Sequence, residues 1–207
     1  MKNQKTILFV AFLGLTLSSF AQKITILEGD LGVLKGQSIL NIEYDYSKMA
    51  IGKYKTEAEY VNKRVEDLNA KEAGKGDKWK ENWEGDRIGR FQPQFEQLMN
   101  KHVEKLGLYV GNEKAAKYTM IVRTTFIEPG FNIYVTKKFA SIDCTIDIVE
   151  TDNPKNVVCT IVSKSNPGRT YGMDDYDTGL RIAESYELAG KKLGIFFTDK
   201  LYEKKKK

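Results

Sequence analysis

The 207-residue chain carries one histidine, two cysteines and four prolines. A single histidine, His102, excludes any site that needs two imidazoles. Two cysteines are too few for a disulfide-built mini-fold, and four prolines exclude collagen-like and proline-rich linker sequences. No apolar run reaches the roughly 18 residues that a membrane helix needs. A surplus of one charge sign is also missing from the body. The net charge of the whole chain is +5. It falls to +3 without residues 1–21, which hold Lys2 and Lys5, and to −1 when Lys204–Lys207 are set aside as well. The basic character therefore belongs to the ends. A nucleic-acid binder needs it on a folded face, so nucleic acid is not an expected partner.

What is present suits a folded domain. Hydrophobic residues make up 41% and aromatic residues 11%, too much for a disordered chain and enough for one core. No internal repeat recurs at a solenoid period.

The first 21 residues, MKNQKTILFVAFLGLTLSSFA, read as an export signal. Lys2 and Lys5 precede an apolar stretch from Ile7 to Leu17, and Ser19 and Ala21 supply small residues at the −3 and −1 positions of a cut. The expected mature chain starts at Gln22 and forms a single domain over 22–203, followed by a solvated lysine tail at 204–207. No cysteine precedes Cys144, so no lipid-bearing cysteine stands at the cut, and a periplasmic or secreted protein without a lipid anchor is expected.

Periodicity then predicts the elements. A short strand and glycine-rich turn span 22–37. Ser38 to Tyr46 alternates, with Leu40, Ile42, Tyr44 and Tyr46 on one side. Thr56 and Glu59 have capping-box spacing and open a helix running to about Ala73, ended by Gly74 and Gly76. Asp77 to Arg90 is the most irregular stretch. A second helix from about Phe91 to Leu106 carries Phe91, Phe95, Leu98, Met99, His102 and Leu106 on its apolar stripe, and Gly107 stops it. Strands follow at Tyr118–Ile127, Phe139–Glu150 and Asn156–Ser165, the last two joined by a turn at Asp152-Asn153-Pro154 and the last closed by Asn166-Pro167-Gly168. Asp177 caps a long helix, Thr178 to Leu201, whose buried stripe is Ile182, Tyr186, Ala189, Leu193, Phe196 and Phe197. Gly190 and Gly194 beside that stripe point to close approach of another backbone. The order predicts an α+β fold: a mixed, largely antiparallel sheet with helices packed on one face and a long C-terminal helix.

Candidate chemistry is sparse. His102 lies on an apolar helix face, where a histidine at the core edge is the expected reading. Cys144 and Cys159 fall in phase with apolar neighbours on the hairpin, and two buried thiols are expected, with a disulfide as the alternative. Asp174, Asp175 and Asp177 could offer oxygens to a cation, but the spacing of a calcium loop is absent and helix capping accounts for them. Asp143 and Asp147 share the polar phase of their strand. Trp79 and Trp83, four apart in a charged segment, could staple that segment to the core. As a binding surface they would act as anchors, with Lys80, Arg87 and Arg90 as the polar rim. No cofactor is expected.

The second half resembles the small periplasmic α/β domain of the TolB N-terminal and curli-secretion lipoprotein type. The matching positions are Ala116 to Tyr118, Ile148 to Asp152 and Leu180 to Leu201. Asn153-Pro154 replaces the usual glycine after the Asp turn, and the lipobox is absent. The resemblance implies a non-catalytic interaction module of the bacterial cell envelope, binding an envelope protein or glycan. The alternative is a carboxylate-based hydrolase acting on envelope glycan or peptide. A pocket lined by carboxyls with raised pKa favours the enzyme; a shallow aromatic patch favours the module.

Overall fold

The computed structural model describes residues 23–133, 136–168 and 177–202. The expected export signal, the lysine tail, Asp174 and Asp175 lie outside the described residues.

Alternating segments build the sheet. Strand β1 (Lys23–Gly29) leads through a single 3-10 turn, Leu31–Leu34, to β2 (Ile39–Asp45) and the short β3 (Ala50–Ile51). Three helices follow: α1 (Glu57–Asn69), α2 (Lys75–Asp86) and α3 (Gln92–Val103), with a π-helical turn, Arg87–Phe91, joining the last two. Then come β4 (Tyr109–Gly111), β5 (Tyr118–Glu128), a small hairpin of β6 (Phe131–Ile133) and β7 (Thr136–Lys138), β8 (Ala140–Glu150), β9 (Val157–Gly168) and α4 (Thr178–Leu201). The main sheet has the order β1-β9-β8-β5-β2-β4, with β3 also paired to β5. β2 runs parallel to β4 and β5, β3 runs parallel to β5, and the remaining pairs are antiparallel. This is the expected mixed α+β sheet, with three parallel and three antiparallel pairings.

One face of the sheet is apolar because the strands alternate with period two. Along β8, Ala140, Ile142, Cys144, Ile146 and Ile148 are buried, while Ser141, Asp143, Thr145 and Asp147 between them are half-exposed. α4 lies over β8 and β9 and packs against α3. The outer face is polar. Arg123 bridges Asp45 at 3.2 Å and Asp147 at 3.2 Å, Asp147 also accepts from Thr160 at 2.8 Å, and Asp143 accepts from the Ser165 amide at 2.7 Å. Asp143 and Asp147 thus fasten strands to one another.

α4 has the predicted limits and cap. The Asp177 carboxylate accepts from the amides of Gly179 and Leu180. Ile182, Tyr186, Ala189, Leu193 and Phe197 are buried, and Phe196 is partly so. Gly190 and Gly194 meet α3 as expected: a Cβ at Gly190 would collide with the Phe95 carbonyl, and one at Gly194 would sit 2.8 Å from that of Met99. The Tyr186 ring stacks on Phe91, centroids 5.0 Å apart, and its hydroxyl meets that of Thr124 at 2.6 Å. His102 is half-buried where α3 faces α4.

Cys144 and Cys159 are buried and free. The register sets Cys144 opposite Ser163 and Ile148 opposite Cys159. The thiols are therefore on one face but four positions apart, roughly 13 Å along the strands, beyond disulfide reach.

Three expectations needed correction. The stretch 77–90 is α2 and the π turn rather than irregular chain. The glycines before it begin α2 instead of only ending α1: Gly74 has φ 81°, and Gly76 fits against the Val65 backbone while its amide donates to Asn69 Oδ1 at 2.7 Å. β9 does not stop before Asn166-Pro167-Gly168 but runs through it. Its pairing with β1 ends at Lys164, so Pro167 interrupts no hydrogen bond on that side.

Candidate functional site

The geometry of the tryptophan segment follows from α1 and α2 packing side by side. Trp79 and Trp83 lie one turn apart on the face of α2 that meets Tyr60. The two indoles stack with centroids 5.6 Å apart, and Tyr60 approaches them at 5.8 and 5.3 Å. Trp83 is only 3% exposed. Its Nε1 donates to Glu57 Oε1 at 2.6 Å, which satisfies the one polar atom of a buried indole. Trp83 is thus a core residue. Trp79 is half-buried and carries the Arg64 guanidinium 5.9 Å from its ring centre.

The π turn divides the basic residues between two sides. Its extra residue rotates the following side chains relative to a regular helix. Arg87 turns to the sheet side, where it pairs with Glu57 and lies 4.6 Å over the Tyr46 ring. Arg90 turns to the start of α4. Its Nε meets Asp86 Oδ1 at 3.1 Å and its Nη1 meets Asp177 Oδ2 at 2.8 Å. Lys80 stays on the outer side of α2, 3.9 Å from Glu84. Gly179 lets the Asp86 carboxylate approach α4, because a Cβ there would collide with Asp86 Oδ2.

These contacts leave a cleft of about 480 Å³ between the α2 end and the first turn of α4. Arg64, Trp79, Asp86, Arg90 and Asp177 supply its chemistry, with the edge of Trp83 in the wall. The two carboxyls differ. Burial raises Asp86, with Asp177 adding to the shift, and Arg90 only partly opposes it. Burial also acts to raise Asp177, but Arg90 and the amides of Leu180 and Gly179 outweigh it and hold that carboxyl below its usual range. The cleft therefore presents the margin of a half-buried indole, two guanidinium groups and a carboxyl that gains a proton more readily than usual.

Of the five predicted binding residues, the structure brings Trp79 and Arg90 together on this cleft. Trp83 contributes an edge as part of the core. Arg87 and Lys80 do not line it. Arg64 and Asp86 were not foreseen as site residues, although Arg64 stands one turn after Tyr60 on α1 and both meet Trp79. Asp177 was foreseen as a cap but not as a partner of Arg90, 87 positions away. Among the described residues, no group of three or more His, Cys, Asp or Glu side chains is placed to hold a metal ion. No helix among them is long and apolar enough to cross a membrane.

No protein-family model matches the chain, and no curated protein matches it. Among solved structures, it is similar to a PelC dodecamer subunit from Paraburkholderia phytofirmans, at 9% identity over 89% of this chain and 99% of that one, with a TM-score of 0.40. It is also similar to a neuraminyllactose-binding hemagglutinin homolog from Helicobacter pylori, at 10% identity over 82% of this chain and 85% of that one, with a TM-score of 0.35. At these scores neither assigns the chain a family or an activity.

Proposed function

We propose that the protein is a non-catalytic interaction module of the cell envelope, exported by its first 21 residues, that binds an envelope protein or glycan in the cleft between α2 and α4. The reading rests on one observation: a half-exposed indole, Trp79, stands in a cleft beside Arg64 and Arg90. Aromatic and arginine side chains are enriched among residues that dominate binding energy. The same groups serve a sugar, whose apolar edge meets the margin of the indole while guanidinium and carboxylate groups meet its hydroxyls. Envelope export remains the expectation from the sequence, in line with the resemblance to small periplasmic α/β domains.

A photo-crosslinking residue at Glu81, which lines the cleft without joining its ion pairs, tests this in intact cells. A discrete adduct is expected from position 81 and none from Glu66 on the exposed side of α1. Equal labelling from both positions would refute the cleft as the binding surface.

One observation favours the alternative of a carboxylate-based hydrolase: Asp86 is raised by burial beside a second carboxyl, Asp177, a pattern used by acid catalysts. Against it, Arg90 is bonded to both, and Asp177 is committed to capping α4. Hydrolysis of envelope glycan or peptide that disappears in Asp86→Asn would establish the enzyme; unchanged binding with no turnover in either form supports the module.

A further inference from the structure

The main sheet ends in β1 on one side and β4 on the other, and the two edges are finished differently. An edge strand turns a row of amide and carbonyl groups outward, a template for a further strand unless something occupies it. On β4 the amide of Tyr109 turns inward to Ser38 O at 2.9 Å, so the backbone groups of the next residue, Val110, point outward. The Asn100 side chain takes both. Its Nδ2 donates to Val110 O at 2.7 Å, and its Oδ1 accepts from the Val110 amide at 2.8 Å. That edge is closed.

The β1 edge is open. Among the described residues, β9 is the one strand paired with it. Its sequence, Ile24-Thr25-Ile26-Leu27, contains no proline and favours extended chain, and Leu27 is 64% exposed. Its two charged residues, Lys23 and Glu28, are both exposed, and neither has an ion-pair partner among the described residues. Lys23 instead stands opposite another lysine, Lys164, an unfavourable cross-strand pair.

The faces decide what fits. Ile24 and Ile26 pack against the core. Lys23, Thr25 and Glu28 stand opposite Lys164, Val162 and Thr160 on the outer, polar face, and the bulge between Ile26 and Glu28 returns Glu28 to that face. Counting the bulged Ile26–Leu27 as one ladder position, Thr25 is the centre of the segment from Lys23 to Glu28. A two-fold axis through Thr25, perpendicular to the sheet, keeps each face on its own side. It sets Thr25 against Thr25 of a second copy, and Ile24 against the other copy's Ile26–Leu27. It also sets Lys23 against the other copy's Glu28, twice. The strand is thus complementary to itself in charge, in face and in apolar contact.

We infer that β1 is a docking edge for a second copy of this chain, joined antiparallel across that two-fold axis into one continuous sheet. The tryptophan cleft takes no part in it, so the inference stands apart from what the cleft binds.

Sedimentation equilibrium of the purified chain and its charge variants tests this. The wild type is expected to show a monomer–dimer equilibrium. Lys23→Glu or Glu28→Lys alone sets like charges against each other at both ends of the pairing, and each should weaken dimerisation on the order of 30-fold at unchanged thermal melting. Mixing the two single variants pairs opposite charges again and should restore dimerisation to the wild-type level. Combining both changes in one chain should restore it as well. Residues directly opposite one another lie about 4.5–5.5 Å apart between Cα atoms, within disulfide reach. Thr25→Cys should therefore crosslink two chains under mild oxidation, while Glu43→Cys on β2 should not. The inference is overturned if the wild type stays monomeric at its highest soluble concentration, if either single variant dimerises as well as the wild type, if the mixture fails to restore the dimer, or if Thr25→Cys crosslinks no better than Glu43→Cys.

Discussion

Gly190→Ala sets two magnitudes against each other. Alanine is favoured over glycine in a helix interior by about 1 kcal/mol. At position 190 the added methyl would also meet the Phe95 carbonyl oxygen and carbon and lie 2.9 Å from its Cα. All three are backbone atoms, so no side-chain rotation makes room and α3 must move away from α4. Overpacking of this kind costs about 1–3 kcal/mol, and separating these helices disturbs the Tyr186–Phe91 stack as well. The expected net loss is about 1–2 kcal/mol, or a melting temperature roughly 2–8 °C lower for a chain of this size. Gly85→Ala is the internal control. It also lies inside a helix, but its Cβ would meet nothing within 4 Å, so only the propensity acts and melting should rise by roughly 2–4 °C. Gly194→Ala, with Met99 O at 2.8 Å and His102 Cβ at 2.9 Å, should fall between. Thermal melting followed by circular dichroism reads all three. A Gly190→Ala chain that melts at or above the wild type refutes the close packing of α3 on α4.

Trp83→Ala should destabilise by about 3–5 kcal/mol, the usual range for a buried aromatic, and Trp79→Ala by less than half of that; urea midpoints compare them. Cys144 and Cys159 are pushed up to about 12 and about 11 by burial, so both should resist iodoacetamide in the native state and react on unfolding, as read by intact mass. Asp177→Asn keeps a capping oxygen but loses the charge that meets Arg90. Because the folded Asp177 carboxyl lies below its ordinary value of 3.8, its stabilisation is fully present above that pH and is lost as pH falls through the folded value. The wild type should therefore exceed the variant in urea midpoint near about pH 7, and the gap should close towards about pH 3.

The elements that followed one period over many residues were legible in the sequence. α4 had an apolar stripe, a side-chain cap and two glycines whose purpose was close approach, and the β8–β9 hairpin carried both cysteines in phase. The structure departs from that reading where burial is too sparse to leave a stripe. α2 buries only Gly76 and Trp83, so its charged surface and its glycines read as loop. β4, of three residues, is held by pairing to β2 and has no pattern of its own. The site was half legible. Trp79 and Arg90 stood out by residue type, but the turn of Arg87 away from Arg90 comes from the π turn, and the arrival of Asp177 beside Arg90 comes from how α4 packs. Neither has a local sequence marker. Trp83 was indistinguishable from Trp79 until Glu57 and Tyr60 were placed around it.

The claim that the Trp79 cleft is the binding surface meets its most direct test in the variant Arg64→Ala with Trp79→Ala, leaving Trp83 in the core. Crosslinking pull-down from intact cells, read beside thermal melting, is the measurement. The account predicts that the double variant loses the adducts formed by the wild type while still unfolding cooperatively within several degrees of it. Undiminished adducts from a stably folded double variant would contradict it.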